Sequence, residues 1–326
     1  MLDQKPLNRI LFLDIETTSQ KENFSELSDR QQHLFLKRFK KEFESQVSAL
    51  FTIRYNEEMS KKVLEEATIV QVDKSGSVTT KKSGKKKNKA LTDDEVLERI
   101  KLEVATELYS VKAPIFPEFG RILCISVGAM WKNEGENFYN IKINTFSDED
   151  EKTLLQDFIN HEKLGTILDK LAGKYDKNQN DFWALCAFNG RVFDFPFIAK
   201  RIVINGLKHP AMFDYAHLKP WEQTHILDPK EAWSYNVFDS TASLDLLCEV
   251  FNVSSSKDDI DGSEVKDIFW VEKDLQRIVK YCEKDVLALA QVCLKMKSMA
   301  EEVKVFQQVT STQTEALESS SKQPQE

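Results

Sequence analysis

Two carboxylates one residue apart, Asp14 and Glu16, interrupt an otherwise apolar run, Leu11-Phe12-Leu13-Asp14-Ile15-Glu16-Thr17-Thr18. On a strand, residues i and i+2 leave the same face. Both acids therefore project side by side from a segment that belongs in a core, where like charges repel unless a cation lies between them. Oxygen donors of this kind suit Mg²⁺ or Mn²⁺ rather than Zn²⁺. A lone D-x-E is most often a pair of solvated acids at a strand end, so its meaning depends on the other carboxylates. Asp194 follows an apolar stretch and opens a helix, in Asn189-Gly190-Arg191-Val192-Phe193-Asp194, where by itself it reads as a helix cap. Tyr281 and Asp285 stand four apart on a late helix and share one of its faces.

The elements that carry these residues are legible in the apolar spacing. Strands are expected over Arg9–Ile15, Arg121–Trp131, Phe138–Phe146, Trp183–Phe188 and, shorter, His225–Leu227. Helices are expected over Asp148–Glu162, Asp194–Asn205 (ended by Gly206), Ser243–Phe251 and Lys273–Met299. Between the first two strands lies a long insert, 19–117. It holds a helix over Ser28–Ser48 with Leu34, Phe35, Phe39, Phe43 and Val47 at helical spacing, a short helix over Met59–Val70, and a third over Thr92–Val111 striped by Val96, Ile100, Val104 and Leu108. Residues 74–89 are dense in lysine and poor in apolar side chains, and are expected to be disordered, as a solvated tether or as an electrostatic handle for nucleic acid. The tail 307–326 is polar and also expected to be disordered. The order of elements predicts an α/β fold, a mixed sheet flanked by helices whose first three strands form a meander. Residues 1–306 are read as a single domain that includes the insert.

Composition narrows the partners. The chain has 326 residues, is 41% hydrophobic with 21 Phe, and carries a formal charge of −8. That charge argues against coating nucleic acid by bulk attraction, though not against a local groove that grips a few nucleotides. Nothing approaches the ~20 apolar residues of a membrane span, and Met1-Leu2-Asp3-Gln4-Lys5 lacks the plan of a signal peptide. The five cysteines are odd in number, widely spaced and free of C-x-x-C. They read as reduced thiols of a cytoplasmic protein.

The three motifs in this order resemble the DEDD superfamily of 3′–5′ exonucleases, in its tyrosine-bearing (DEDDy) subgroup with a ribonuclease H-like fold. The likeness is closest to the family related to the proofreading domain of family B DNA polymerases. It is carried by LFLDIETT, EFGRILCISVGAMW, FNGRVFDFPFIAKR, SLDLLCEVF, DDIDGSEV and YCEKDVLALAQV, and the 19–117 insert is only loosely covered. The resemblance implies two divalent ions, Mg²⁺ or Mn²⁺, held by Asp14, Glu16, Asp194 and Asp285, that activate water and steady the leaving 3′ oxygen. It implies that Tyr281 orients the attacking water. Glu16 and the Thr17 N–H are expected near the terminal 3′-hydroxyl, Asn189 beside the nucleotides next to the scissile bond, and Ile15 and Phe193 against bases, with a core role as the alternative for Phe193. The expected substrate is single-stranded nucleic acid with a free 3′ end, DNA favoured, in a DNA-repair or proofreading setting with any polymerase or repair partner on a separate chain. A binding or scaffolding module on an exonuclease fold and an RNA-trimming exoribonuclease are the alternatives. Asp228 reads as support behind the site or as a turn residue. Lys200 and Arg201 read as phosphate contacts or as the wet face of a helix.

Overall fold

In a computed structural model of the chain, residues 6–66, 70–72, 78–80, 92–169, 183–237, 242–255, 260–297 and 303–306 are described. In chain order the elements are β1 (Ile10–Ser19), α1 (Asp29–Arg38), α2 (Lys40–Glu66), β2 (Val70–Val72), β3 (Val78–Thr80), α3 (Asp93–Lys112), β4 (Gly120–Trp131), β5 (Tyr139–Ser147), α4 (Glu151–Asn160), α5 (Glu162–Asp169), β6 (Ala184–Cys186), α6 (Asp194–Ile204), β7 (Ile226–Leu227), α7 (Pro229–Ser234), α8 (Leu244–Phe251), α9 (Val265–Asp267), α10 (Leu275–Met296) and β8 (Val303–Phe306). They form two compact units, Met1–Gln20 with Ala113–Glu326, and Lys21–Lys112.

The first unit is built on a six-stranded sheet in the order β7-β6-β1-β4-β5-β8. β1, β4 and β5 are antiparallel neighbours, as the meander requires. β6 runs parallel to β1, β7 parallel to β6, and β8 parallel to β5. This mixed sheet between helical layers is the ribonuclease H-like architecture expected. β1 is central, and alternate residues enter opposite cores. Leu11, Leu13 and Ile15 pack with α4 and α6 through Leu154, Phe158, Phe195 and Ile198. Ile10 and Phe12 pack with α10 through Val286, Leu289 and Ala290.

Two of these helices matter for the site. α10 starts where the Asp274 carboxylate accepts the Arg277 N–H at 3.0 Å, an N-cap worth ~1 kcal/mol. Its buried side chains Ile278, Cys282, Val286, Leu289 and Cys293 recur every three to four residues and make one stripe. The helix lies close to the sheet because residue 128 is glycine. A Cβ there would stand 2.8 Å from Val286 Cγ1. α6 ends as its sequence suggests. Gly206 adopts φ 71 and the Leu207 N–H returns to the Ile202 carbonyl at 3.0 Å, satisfying a carbonyl left over at the helix end.

Several elements differ from their expected bounds. The helix expected over Asp148–Glu162 is α4, which starts only at Glu151 after the Asp150 cap and stops at Asn160, and a further helix, α5, follows His161. β8, the edge strand at Val303–Phe306, had no forecast, because four residues beside a polar tail carry little periodicity. Arg201 is not on a wet face. It is 4% exposed and its guanidinium pairs with Glu151, which also accepts the Ile122 N–H. Lys200 is exposed, 3.9 Å from Glu118.

The second unit, Lys21–Lys112, is mostly helical. The Ser28 side chain caps α1 by accepting from Gln31 N. The separate short helix expected over Met59–Val70 is not formed: α2 runs on to Glu66, and Val70 opens β2. Of the α1 stripe Phe35 is fully buried, while Leu34 is 41% exposed. Phe35 packs edge-on against Tyr109 of α3, and Phe24 meets both. Ile100, Val104 and Leu108 are buried as the spacing requires. Within the lysine-rich run, Val78–Thr80 pairs antiparallel with Val70–Val72. The rest of that run and the tail 307–326 lie outside the described residues. Among the described residues no helix is long and apolar enough to cross a membrane.

Candidate metal centre

The site grows out of the alternation of β1. Asp14 and Glu16 continue the row begun by Ile10 and Phe12, the row that α10 covers. Val286 and Leu289 seat α10 on that row. Asp285, next to Val286, and Tyr281 and Cys282, one turn nearer the helix start, are the α10 residues that act on the acids. The Cys282 thiol lies 3.3 Å from Asp14 Oδ2 and 3.4 Å from the Asp14 carbonyl. Asp14, Glu16 and Cys282 each offer an atom within 4.8 Å of the other two. Cys124 stands directly across β4 from Glu16.

Asp194 arrives from the other side of the strand. β6 pairs with β1 only from Ile10 to Phe12, so beyond Phe12 that edge of β1 is open. There the Asp194 carboxylate takes the backbone N–H of Ile15 together with its own. A short turn delivers it. Asn189 adopts the left-handed φ of 63, and a Cβ at residue 190 would lie 2.3 Å from the Ala187 Cβ, so only glycine fits. Asp228, 3% exposed, anchors this turn by accepting the N–H groups of Asn189 and Arg191 at 2.9 and 3.2 Å. It also caps α7 through Lys230 N at 3.0 Å. Asp228 thus sits at the β7–α7 junction and braces the turn that leads to Asp194.

Electrostatics follow from this crowding. Burial first, then Asp285, Glu16 and Asp194, push the Asp14 carboxyl well above the usual carboxylate range, with the Cys282 thiol pulling the other way. Glu16 is raised likewise by burial, then by Cys124, Asp285 and Asp194. Burial, opposed by the two N–H donors and assisted by Asp228 and Asp285, raises Asp194 to about 7. The Tyr281 hydroxyl is pushed up by burial and by Asp285, Glu16 and Asp14, so it stays a hydrogen-bond donor. Burial also raises the Cys282 thiol. It therefore remains an S–H that donates to Asp14 rather than a thiolate ligand. Carboxylates crowded enough to raise Asp14, Glu16 and Asp194 together are an oxygen donor set that fits hard divalent cations such as Mg²⁺ or Mn²⁺.

The other sequence candidates fall as follows. Thr17 is half-buried at a bulge in the β1–β4 pairing, which leaves Leu123 without a partner across the strand, and its hydroxyl donates to the Pro114 carbonyl at 2.8 Å. Asn189 is half-buried on the turn. The Phe193 ring is partly buried, 5.4 Å from that of Phe197, in keeping with its core alternative. Ile15 is corrected. It is 5% exposed and packs in the α4–α6 core, on the face away from Asp14 and Glu16. Sequence reasoning overlooked Cys282 as a partner of Asp14. Its only signal was its place directly after Tyr281. It also overlooked a polar row beneath α10, in which Thr145 donates to Glu283 at 2.9 Å and lies 2.9 Å from Ser126, the residue paired with Asp14.

No curated protein matches the chain. A family model matches residues 117–326, a span that includes Asn189, Asp194, Tyr281 and Asp285 and begins after Asp14 and Glu16. The chain belongs to the family of predicted 3′–5′ exonucleases related to the exonuclease domain of PolB.

Proposed function

We propose that this protein is a metal-dependent 3′–5′ exonuclease that removes nucleotides from single-stranded nucleic acid, DNA in preference to RNA. The observation that carries the reading is that Glu16, Asp194 and Asp285 all act on the charge of Asp14, and Asp14, Glu16 and Asp285 on that of Tyr281, in a chain of an exonuclease family. A module kept only for binding has no use for acids packed so closely that Asp14, Glu16 and Asp194 are all raised. The relation of the family to PolB favours DNA. Divalent ions held by these four carboxylates would supply Lewis-acid activation of water and charge stabilisation on the leaving 3′ oxygen. The chain's own groups do the positioning. The Tyr281 hydroxyl, protonated at every working pH, orients the attacking water by hydrogen bonding. Glu16 and the Thr17 backbone receive the terminal nucleotide, with Asn189 and the edge of Phe193 beside it. Five buried free thiols fit a reducing compartment such as the cytoplasm.

The test is degradation of matched 3′- and 5′-labelled single-stranded DNA and RNA oligonucleotides with Mg²⁺, Mn²⁺ or EDTA. Stepwise, metal-dependent shortening from the 3′ end is expected, faster on DNA. No cleavage with either metal would sink the reading in favour of a binding module.

A further inference from the structure

We propose that Lys230 is a substrate-binding residue that contacts a backbone phosphate of the strand being degraded, next to the scissile linkage. The proposal rests on the exonuclease reading for the identity of the substrate. The geometry that points to it starts at Asp228. Its buried carboxylate takes backbone N–H groups from Asn189, Arg191 and Lys230. One carboxylate with donors from two segments holds the start of α7 and the 189–193 turn as one piece. The turn is itself closed, with the N–H groups of Val192 and Phe193 both returning to the Asn189 carbonyl at 3.1 and 3.0 Å. Asp194 follows directly and feels the charge of Asp228. Whatever is fixed to this piece is fixed relative to the acids.

Lys230 is the cation fixed to it. Its half-buried side chain brings Nζ to 3.3 Å from Asn189 Oδ1. Arg191, the other cation of the turn, is already committed, to Glu231, Gln223 and the Ile226 carbonyl. Among the described residues no carboxylate pairs with Lys230. Its ammonium has three donors and one long bond to a neutral amide oxygen. A phosphate oxygen is the stronger acceptor for such a donor, because the bond becomes charge-assisted. The need for it is electrostatic. The acids and the incoming phosphates are both negative, and a lysine on the Asn189 side attracts the strand without neutralising the carboxylates.

The test compares wild type, Lys230→Ala and Lys230→Arg. Binding of a fluorescent single-stranded DNA oligonucleotide is measured against KCl concentration with Ca²⁺ in place of Mg²⁺. One phosphate contact contributes about 0.7 to the slope of log affinity against log salt on single strands. Lys230→Ala should flatten the slope by about that amount and Lys230→Arg should retain it. A single neutral methylphosphonate, walked in from the 3′ end, should weaken wild type at one linkage and leave Lys230→Ala indifferent there. A merely structural lysine would change neither the slope nor that linkage dependence. An unaltered slope in Lys230→Ala, or equal methylphosphonate sensitivity in both proteins, overturns the contact, as does a wild type that does not bind. If wild type binds without cleaving and Lys230→Ala still loses the slope, the contact stands and the exonuclease reading falls.

Discussion

Replacing Asp194 by Asn is expected to stabilise the metal-free protein at neutral pH and to leave it unchanged in acid. Asp194 is 3% exposed, and its pKa rises from 3.8 in a free chain to about 7 in the fold. Between those values the folded protein keeps a proton that the unfolded chain has released. Stability from this group is therefore complete below about pH 4 and is lost as pH rises through about 7. The gap of about three pH units, at ~1.4 kcal/mol each, makes the ionised side chain a liability of about 4 kcal/mol by pH 8. Asparagine keeps an acceptor for the Ile15 N–H and cannot ionise. It also relieves Asp14 and Glu16, whose carboxyls Asp194 helps to raise, so the effect keeps its sign. Urea unfolding in EDTA at a series of pH values measures it. The curves of wild type and variant should coincide near pH 4 and separate by up to about 4 kcal/mol at pH 8. Mg²⁺ should then narrow the gap, since a ligand at 100 times its Kd stabilises the protein that binds it by ~2.7 kcal/mol. A difference that is flat with pH, or a wild type that is the more stable at pH 8 in EDTA, would refute the crowded-carboxylate account.

Asp14→Ala should reduce oligonucleotide cleavage to background while its thermal midpoint in EDTA is no lower than that of wild type; near-normal cleavage would displace Asp14 from the site. Tyr281→Phe should slow single-turnover cleavage roughly 100-fold, the usual effect of losing one well-aimed donor, with the shape of the pH–rate profile unchanged; an unaltered rate would remove the hydroxyl from the mechanism. Arg201→Met should lower the urea-derived stability by about 3–5 kcal/mol, because it leaves Glu151 buried without its partner; a loss under ~1 kcal/mol would show that the pair is dispensable.

Much of the site could be read one-dimensionally, because its spacings are those of single elements. Asp14 and Glu16 share a face because strands have a period of two, and Tyr281 and Asp285 share one because helices have a period near 3.6. The same local rules marked the start of α1 at Ser28, the stop of α6 at Gly206, and the burial of Ile100, Val104 and Leu108. The alternation of helices and strands was enough to imply the mixed sheet. Local periodicity says which side chains share a face, but not which faces meet. That Cys282 donates to Asp14, 268 positions away, follows from how closely α10 approaches β4 over Gly128. That Asp194 reaches the Ile15 N–H follows from β6 ending opposite Phe12 and leaving the edge of β1 open. Whether Ile15 turns to a base or to the core, and Arg201 to a phosphate or to Glu151, depended on the same packing. Asp228 and Lys230 gained their places only when α7 came against the 189–193 turn. These are contacts between distant segments, decided by strand register and by the volume of the side chains between layers, which no window along the chain contains.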